Sequence, residues 1–155
     1  MVLTGSFSRT LDEKLRVAIP KELRDAADLA PGGVVFATQG TDGSLALYPE
    51  KTFSQLADRL SAGSPTAPGS RDYNRLFFSN ARRLEVDSQG RVRIPGELAA
   101  HAGLTKEREA MLLGIRDHME LWDCERWETY RKEKAPQYDT LAAAAFHGPL
   151  LTPDS

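Results

Sequence analysis

Two five-residue segments carry the residue types best suited to recognition chemistry: Asp12-Glu13-Lys14-Leu15-Arg16 and Asp87-Ser88-Gln89-Gly90-Arg91. Each sets an aspartate four residues before an arginine. The arginine guanidinium is a planar fork of donors that holds a phosphate or a guanine edge through two bonds at once. An aspartate in a tight turn accepts bonds from the backbone that follows it, and can orient the arginine. Gly90 supplies a positive φ or close approach to a partner backbone. The chemistry on offer is anion recognition by hairpin loops. The alternative is an ordinary polar turn copied when the fold was duplicated, and residue types alone leave both open.

The duplication is visible directly. LDEKLRVAIPKELR (11–24) and VDSQGRVRIPGELA (86–99) agree at seven of 14 positions when shifted by 75. Asp12 meets Asp87, Arg16 meets Arg91, Val17 meets Val92, Ile19 meets Ile94 and Pro20 meets Pro95. Leu29 meets Leu104 at the same shift, and SLALYPEKTF (44–53) answers HMELWDCERW (118–127) at a shift of 74. Matched places for Tyr48 and Trp122, and for Phe53 and Trp127, indicate core packing rather than base stacking.

Other chemistries find little support. His101, His118 and His147 are scattered, with no metal-ligand spacing. His118 reads as a surface residue of a hairpin turn. Cys124, the single cysteine, has no histidine placed to activate it, and one cysteine allows no internal disulfide framework. No nucleophile elbow, phosphate loop or dinucleotide fingerprint is present. The expectation is a protein that is not an enzyme and has no cofactor, no metal and no small-molecule substrate.

The chain has 155 residues, 41% hydrophobic and 27% charged, with a net charge of -2. That bounds it to one globular domain or two small ones and excludes a polybasic coat. The charge is uneven, however. Between Arg71 and Arg93 six arginines face three acids, a local excess of +3, while 117–139 is rich in acid; such polarity suits a face turned to an anion. The N-terminal MVLTGSFSRTLDEK lacks a long apolar run, so no secretory leader is expected, nor is any stretch long and apolar enough to span a bilayer.

The elements that must position the loops follow from period and punctuation. Strands are expected at 3–10 and 15–19, a helix from Pro20 through KELRDAADL that ends at Pro31-Gly32-Gly33, and strands at 34–38 and 44–48 around an Asp42-Gly43 turn. The second half repeats that order at 82–86, 91–94, 95–102, 110–115 and 119–122. Phe53, Leu56, Ala57 and Leu60 form one helical face, Tyr73, Leu76 and Phe77 mark a helix after the SAGSPTAPGS linker (61–70), and Trp127 and Tyr130 share a face on a last helix, with Asp123 as its N-cap. The alanines of LAAAAFHGPLLTPDS extend that helix, and the end is expected to be disordered. The division expected is 3–50, 51–80, 81–124 and 125–155. Each half is near the size below which a core alone rarely suffices, so two packed together would share one, with open strand edges that favour association.

With its two DxxxR loops, the IP that follows each, the strands ending LYP and LWD, and HAGLTKE at 101–107, the sequence resembles the MraZ family over roughly residues 3 to 135. The resemblance implies an α+β fold, mainly β, of tandem duplicated swapped-hairpin β-barrel units of the AbrB (SpoVT-AbrB) type with flanking helices. It also implies a cytoplasmic, nucleoid-associated regulator that binds repeated promoter sites of the division and cell-wall gene cluster and assembles into rings. The family loop is DxKGR. Carried over, Lys14, Arg16, Gln89 and Arg91 would contact DNA, and Asp12, Asp87 and Gly90 would shape the loops. Arg82, Arg83 and Arg93 would add secondary contacts. Leu15 stands where the pattern has glycine, and Gln89 where it has lysine. The rival is an antitoxin-like module that binds a protein partner through its C-terminal segment.

Overall fold

The computed structural model describes residues 1–63 and 66–147. Its elements are β1 (Ser6–Thr10), β2 (Arg16–Ala18), α1 (Lys21–Ala26), β3 (Val34–Gln39), β4 (Leu45–Pro49), α2 (Glu50–Ser61), α3 (Pro68–Asn80), β5 (Arg82–Glu85), β6 (Arg91–Arg93), α4 (Gly96–His101), β7 (Glu109–Ile115), β8 (His118–Asp123), α5 (Cys124–Lys134), a 3-10 turn (Ala135–Gln137) and α6 (Tyr138–Phe146). The fold is α+β, and the β-β-α-β-β order occurs twice. Residues 64, 65 and 148–155, which hold part of the linker and the expected disordered end, lie outside the described residues.

One sheet holds six strands in the order β1-β7-β8-β4-β3-β5, and β2 and β6 form a separate two-stranded ribbon. All pairs are antiparallel. The halves exchange strands: β1 of the first half lies against β7 of the second, and β5 of the second lies against β3 of the first. The register makes the exchange symmetric. Thr10 faces Glu109 while Glu85 faces Val34, the same pair read at a shift of 75. In the ribbon Val17 faces its own counterpart Val92. In the sheet Ala46 faces its counterpart Glu120, flanked by Leu45–Leu121 and Leu47–Met119. A pseudo-twofold axis therefore relates the halves and passes through both central pairs.

The apolar residues fill one shared core. Val17, Ile19, Leu23, Leu47 and their counterparts Val92, Ile94, Leu98 and Leu121 are each no more than 5% exposed and belong to one cluster. Burying a side chain of this size contributes about 1.5–3 kcal/mol, so these four matched pairs bind the halves firmly. A second layer of aromatic rings lies under α2 and α3: Phe36 stacks on Phe53 at 4.5 Å, and Tyr48 meets Phe77 edge-on at 6.2 Å.

Three expectations need correction. The first helix is short. It stops at Ala26 because Asp28 takes φ +56°, with the Leu29 N–H donating back to the Arg24 carbonyl. The counterpart of Asp28 is Gly103 at φ +67°, so the stop is a left-handed residue, several positions before the glycines. His118 is not a surface residue. Its ring is half-buried, stacks on Tyr48 at 4.9 Å and is held at Nδ1 by Asp117 at 2.9 Å. The last helix does not run on through its alanines, since the 3-10 turn at Ala135–Gln137 separates α5 from α6.

Residues Met1–Cys124 form one compact unit and Glu125–Ser155 a second. In the second, Trp127 and Tyr130 stack at 6.0 Å, and α6 leaves Tyr138 and Phe146 largely exposed. Among the described residues no helix is long and apolar enough to cross a membrane.

Candidate nucleic-acid interface

The loops after β1 and β5 are built on one plan. Asp12 Oδ1 accepts the backbone N–H groups of Lys14 (2.9 Å) and Arg16 (2.8 Å), and Oδ2 accepts Arg16 Nε at 2.7 Å. Asp87 repeats this with Gln89 (2.8 Å), Arg91 (2.9 Å) and Arg91 Nε at 2.9 Å. The Leu15 N–H donates to the Asp12 carbonyl, and the Gly90 N–H to the Asp87 carbonyl. That closure requires the left-handed region at the fourth position, where Leu15 has φ +59° and Gly90 φ +78°. Glycine takes this conformation freely, while a side chain raises its energy by roughly 1–2 kcal/mol. Leu15 offsets part of that by packing against the core.

Electrostatics follow the same plan. The Arg16 backbone N–H is the main influence holding the Asp12 carboxyl below the usual carboxylate value, helped by the Arg16 guanidinium and the Lys14 N–H. Asp87 is lowered for the same reason, led by the Arg91 N–H. Both stay ionised, and each uses its arginine's Nε. Arg91 Nη1 also comes within 3.9 Å of Asp12 Oδ2, so the two loops touch across the halves.

The ribbon explains the proximity. Side chains alternate across a strand, and directly paired residues share a face. Val17 and Val92 point into the core. Arg16 pairs with Arg93 and Arg91 with Ala18 on the opposite face. Three arginines thus gather on one short ribbon, with Lys14 exposed beside them. The described residues hold no cluster of His, Cys, Asp and Glu fit for a metal ion.

Of the residues singled out in the sequence, Arg16, Arg91 and Arg93 come together on the ribbon, and Lys14, Gln89, Asp12, Asp87 and Gly90 lie in the two loops that lead into it. Arg82 and Arg83 do not. They begin β5, about 16 Å of extended chain before Asp87, where Arg82 pairs with Glu97 at 3.6 Å and Arg83 with Glu85 at 3.0 Å. Of the other arginines in the basic run, Arg75 lies on α3 facing Asp72 at 4.0 Å. The local excess of positive charge is therefore spread over three elements rather than one face.

The chain matches the model of a family described as “MraZ protein, putative antitoxin-like” twice, over residues 2–76 and 77–147. The chain belongs to the MraZ family. Similar relatives share the name Transcriptional regulator MraZ. That of Heliobacterium modesticaldum is 36% identical over 138 residues, covering 89% of this chain and 92% of the relative. That of Thermobifida fusca is 38% identical over 146 residues, covering 94% and 98%. That of Thermomicrobium roseum is 39% identical over 139 residues, covering 90% and 89%. The two MraZ matches fall on the two strand-exchanged halves, one loop in each.

Two arginines escaped the sequence reading. Arg9 reaches the ribbon, its Nε donating to the Ala18 carbonyl at 3.2 Å. Arg24 on α1 donates from Nε to the Ile19 carbonyl at 2.9 Å and lies against Gly90 of the other half. A clue to the second lay in the repeat itself: where the copies trade Leu15 for Gly90, they also trade Arg24 for Ala99.

Proposed function

We propose that this chain is a DNA-binding transcriptional regulator, without enzymatic activity or cofactor, that works in the cytoplasm at the nucleoid. The observation that carries the reading is the ribbon face. Arg16, Arg91 and Arg93 lie side by side there, and the Asp12 and Asp87 turns fix the first two by Nε. A major groove admits a two-stranded β-ribbon, and the terminal nitrogens of a held arginine suit a guanine edge or a phosphate. The relatives' name supports the same reading.

In this reading Lys14, Arg16, Gln89 and Arg91 contact DNA, Gln89 through an adenine edge, and Arg93 adds a flanking contact. Arg82 and Arg83 stand apart and serve more distant phosphates. One ribbon makes few contacts and binds weakly. Copies of the chain in a ring-like assembly on repeated promoter sites, such as those of a division and cell-wall gene cluster, gain by effective concentration. The testing experiment is a titration of the protein with DNA from upstream of its own reading frame. One repeat, two repeats in helical phase and two out of phase are compared. Affinity rising sharply only for the in-phase pair is the expected result. Equal affinity for all three removes the multivalent mechanism, and no binding removes the DNA reading.

One observation favours a second reading, an antitoxin-like module that binds a protein. α6 exposes Tyr138, Leu141 and Phe146 on one short helix. Capture of a single stoichiometric protein partner, lost when residues 138–155 are removed, together with no DNA binding, would favour it.

A further inference from the structure

Three of the differences between the copies bear on the second loop. Lys14 corresponds to Gln89, Leu15 to Gly90 and Arg24 to Ala99. Arg24 belongs to the first half, yet its side chain lies at the loop of the second. A Cβ placed on Gly90 would stand 2.7 Å from Arg24 Cζ and Nε and 3.1 Å from Nη1. The absence of a side chain at 90 is what lets the guanidinium lie there. The seat is fixed from two sides, since the Ile19 N–H donates to the Gly90 carbonyl at 2.9 Å and Arg24 Nε donates to the Ile19 carbonyl at 2.9 Å.

The charge of Arg24 is less neutralised than that of the loop arginines. Arg16 and Arg91 each give Nε to an aspartate. Arg24 gives Nε to a neutral carbonyl, and among the described residues no carboxylate pairs with its two Nη groups. Its side chain is partly exposed at the loop whose own lysine position is Gln89. A guanidinium so held, with terminal donors left over, is suited to a phosphate oxygen.

We propose that Arg24 is a phosphate-binding residue of the second loop and supplies, from the opposite half, the cation that Gln89 does not. Each loop then presents two cations: Lys14 and Arg16 at the first, Arg24 and Arg91 at the second. This rests on the DNA reading above, and the test separates the two.

The full-length protein, Arg24→Gln, Arg24→Lys and the double variant Arg24→Gln with Gln89→Lys are titrated with upstream DNA over a range of salt. Thermal melts check that each remains folded. Arg24→Gln should weaken binding about tenfold and reduce the log–log salt slope by up to about one unit for each loop engaged. Arg24→Lys should keep the slope, and the double variant should recover it. In parallel, inorganic phosphate is titrated while the Arg24 Nε–H and Gly90 N–H resonances are followed by NMR. A saturable shift of both is expected in the wild type, with the Gly90 shift abolished in Arg24→Gln. Phosphate shifts without DNA binding would uphold the anion site and remove the DNA reading. DNA binding with an unchanged slope in Arg24→Gln and no phosphate shift would overturn the proposal and reduce Arg24 to a packing residue.

Discussion

The loops at 12–16 and 87–91 share every backbone and aspartate hydrogen bond, and differ in almost every residue those bonds do not use. Asp and Arg recur, with Nε–Oδ2 distances of 2.7 and 2.9 Å. Between them Glu13-Lys14-Leu15 has become Ser88-Gln89-Gly90. The invariant pair builds the turn, and the variable residues decide what the turn shows to solvent. One scaffold can therefore present two different surfaces, provided that the position at positive φ is tolerated. The first loop tolerates it by burying part of Leu15, the second by having no side chain there.

The strongest way to break the comparison is to remove the shared arginines. Arg16→Ala and Arg91→Ala should each weaken DNA binding by about 1–3 kcal/mol per lost contact, and the double variant by more, with multivalency enlarging the loss. Fluorescence anisotropy on folded protein decides. If one variant binds like wild type, the loops are not equivalent readers.

The next effect is on stability. Gly90→Ala forces a side chain into the left-handed region and against the Arg24 guanidinium, so it should destabilise by about 1–3 kcal/mol in urea unfolding. Leu15→Gly relieves similar backbone strain but gives up apolar contact, and should stay within about 1 kcal/mol of wild type. An equal loss in both would mean that the packing of Leu15, not backbone conformation, dominates the first loop.

Smaller again is the effect of Gln89→Lys, which makes the second loop resemble the first. It should steepen the salt dependence of DNA binding by up to about one log–log unit per site engaged. An unchanged slope would place residue 89 away from the phosphates.

The smallest effect is one of pH. The Asp12 and Asp87 carboxyls are lowered in the folded protein, so the order they give the loops is complete above the ordinary carboxylate pKa of about 3.9. It is lost as pH falls through their depressed values. The Lys14, Arg16, Gln89 and Arg91 amide resonances should move together with acid, below the pH at which exposed carboxylates titrate. Titration at the ordinary value would mean that the aspartates do not hold the turns in solution.

Much of this was legible in the chain. Seven identities at a shift of 75 gave the duplication, and alternation with Pro, Gly and Asp gave strand and helix order to within a few residues. The Asp–Arg spacing gave the turn. Strand exchange was legible only through the family resemblance, whose swapped-hairpin units imply it; β1 has the same apolar pattern whether it completes β3 or β7, and only the shared core decides. Arg24 was missed because its neighbour is 66 positions away, in the other half. The turn at His118 suggests exposure from sequence alone, whereas Tyr48 from the adjoining strand covers its ring. The end of α1 was set too late because an aspartate, not a glycine, takes the left-handed position.

The pseudo-twofold axis through Val17 and Val92 has a consequence for inheritance. In a dimer of identical chains every mutation appears twice, and both copies of a loop must change together. Here the two loops lie on one polypeptide, so a single base change can alter one and leave the other intact. The covalent link turns a symmetric object into one with a left and a right. With the DNA reading proposed above, a protein of this build can come to prefer a site with direction, and so distinguish which way a promoter points.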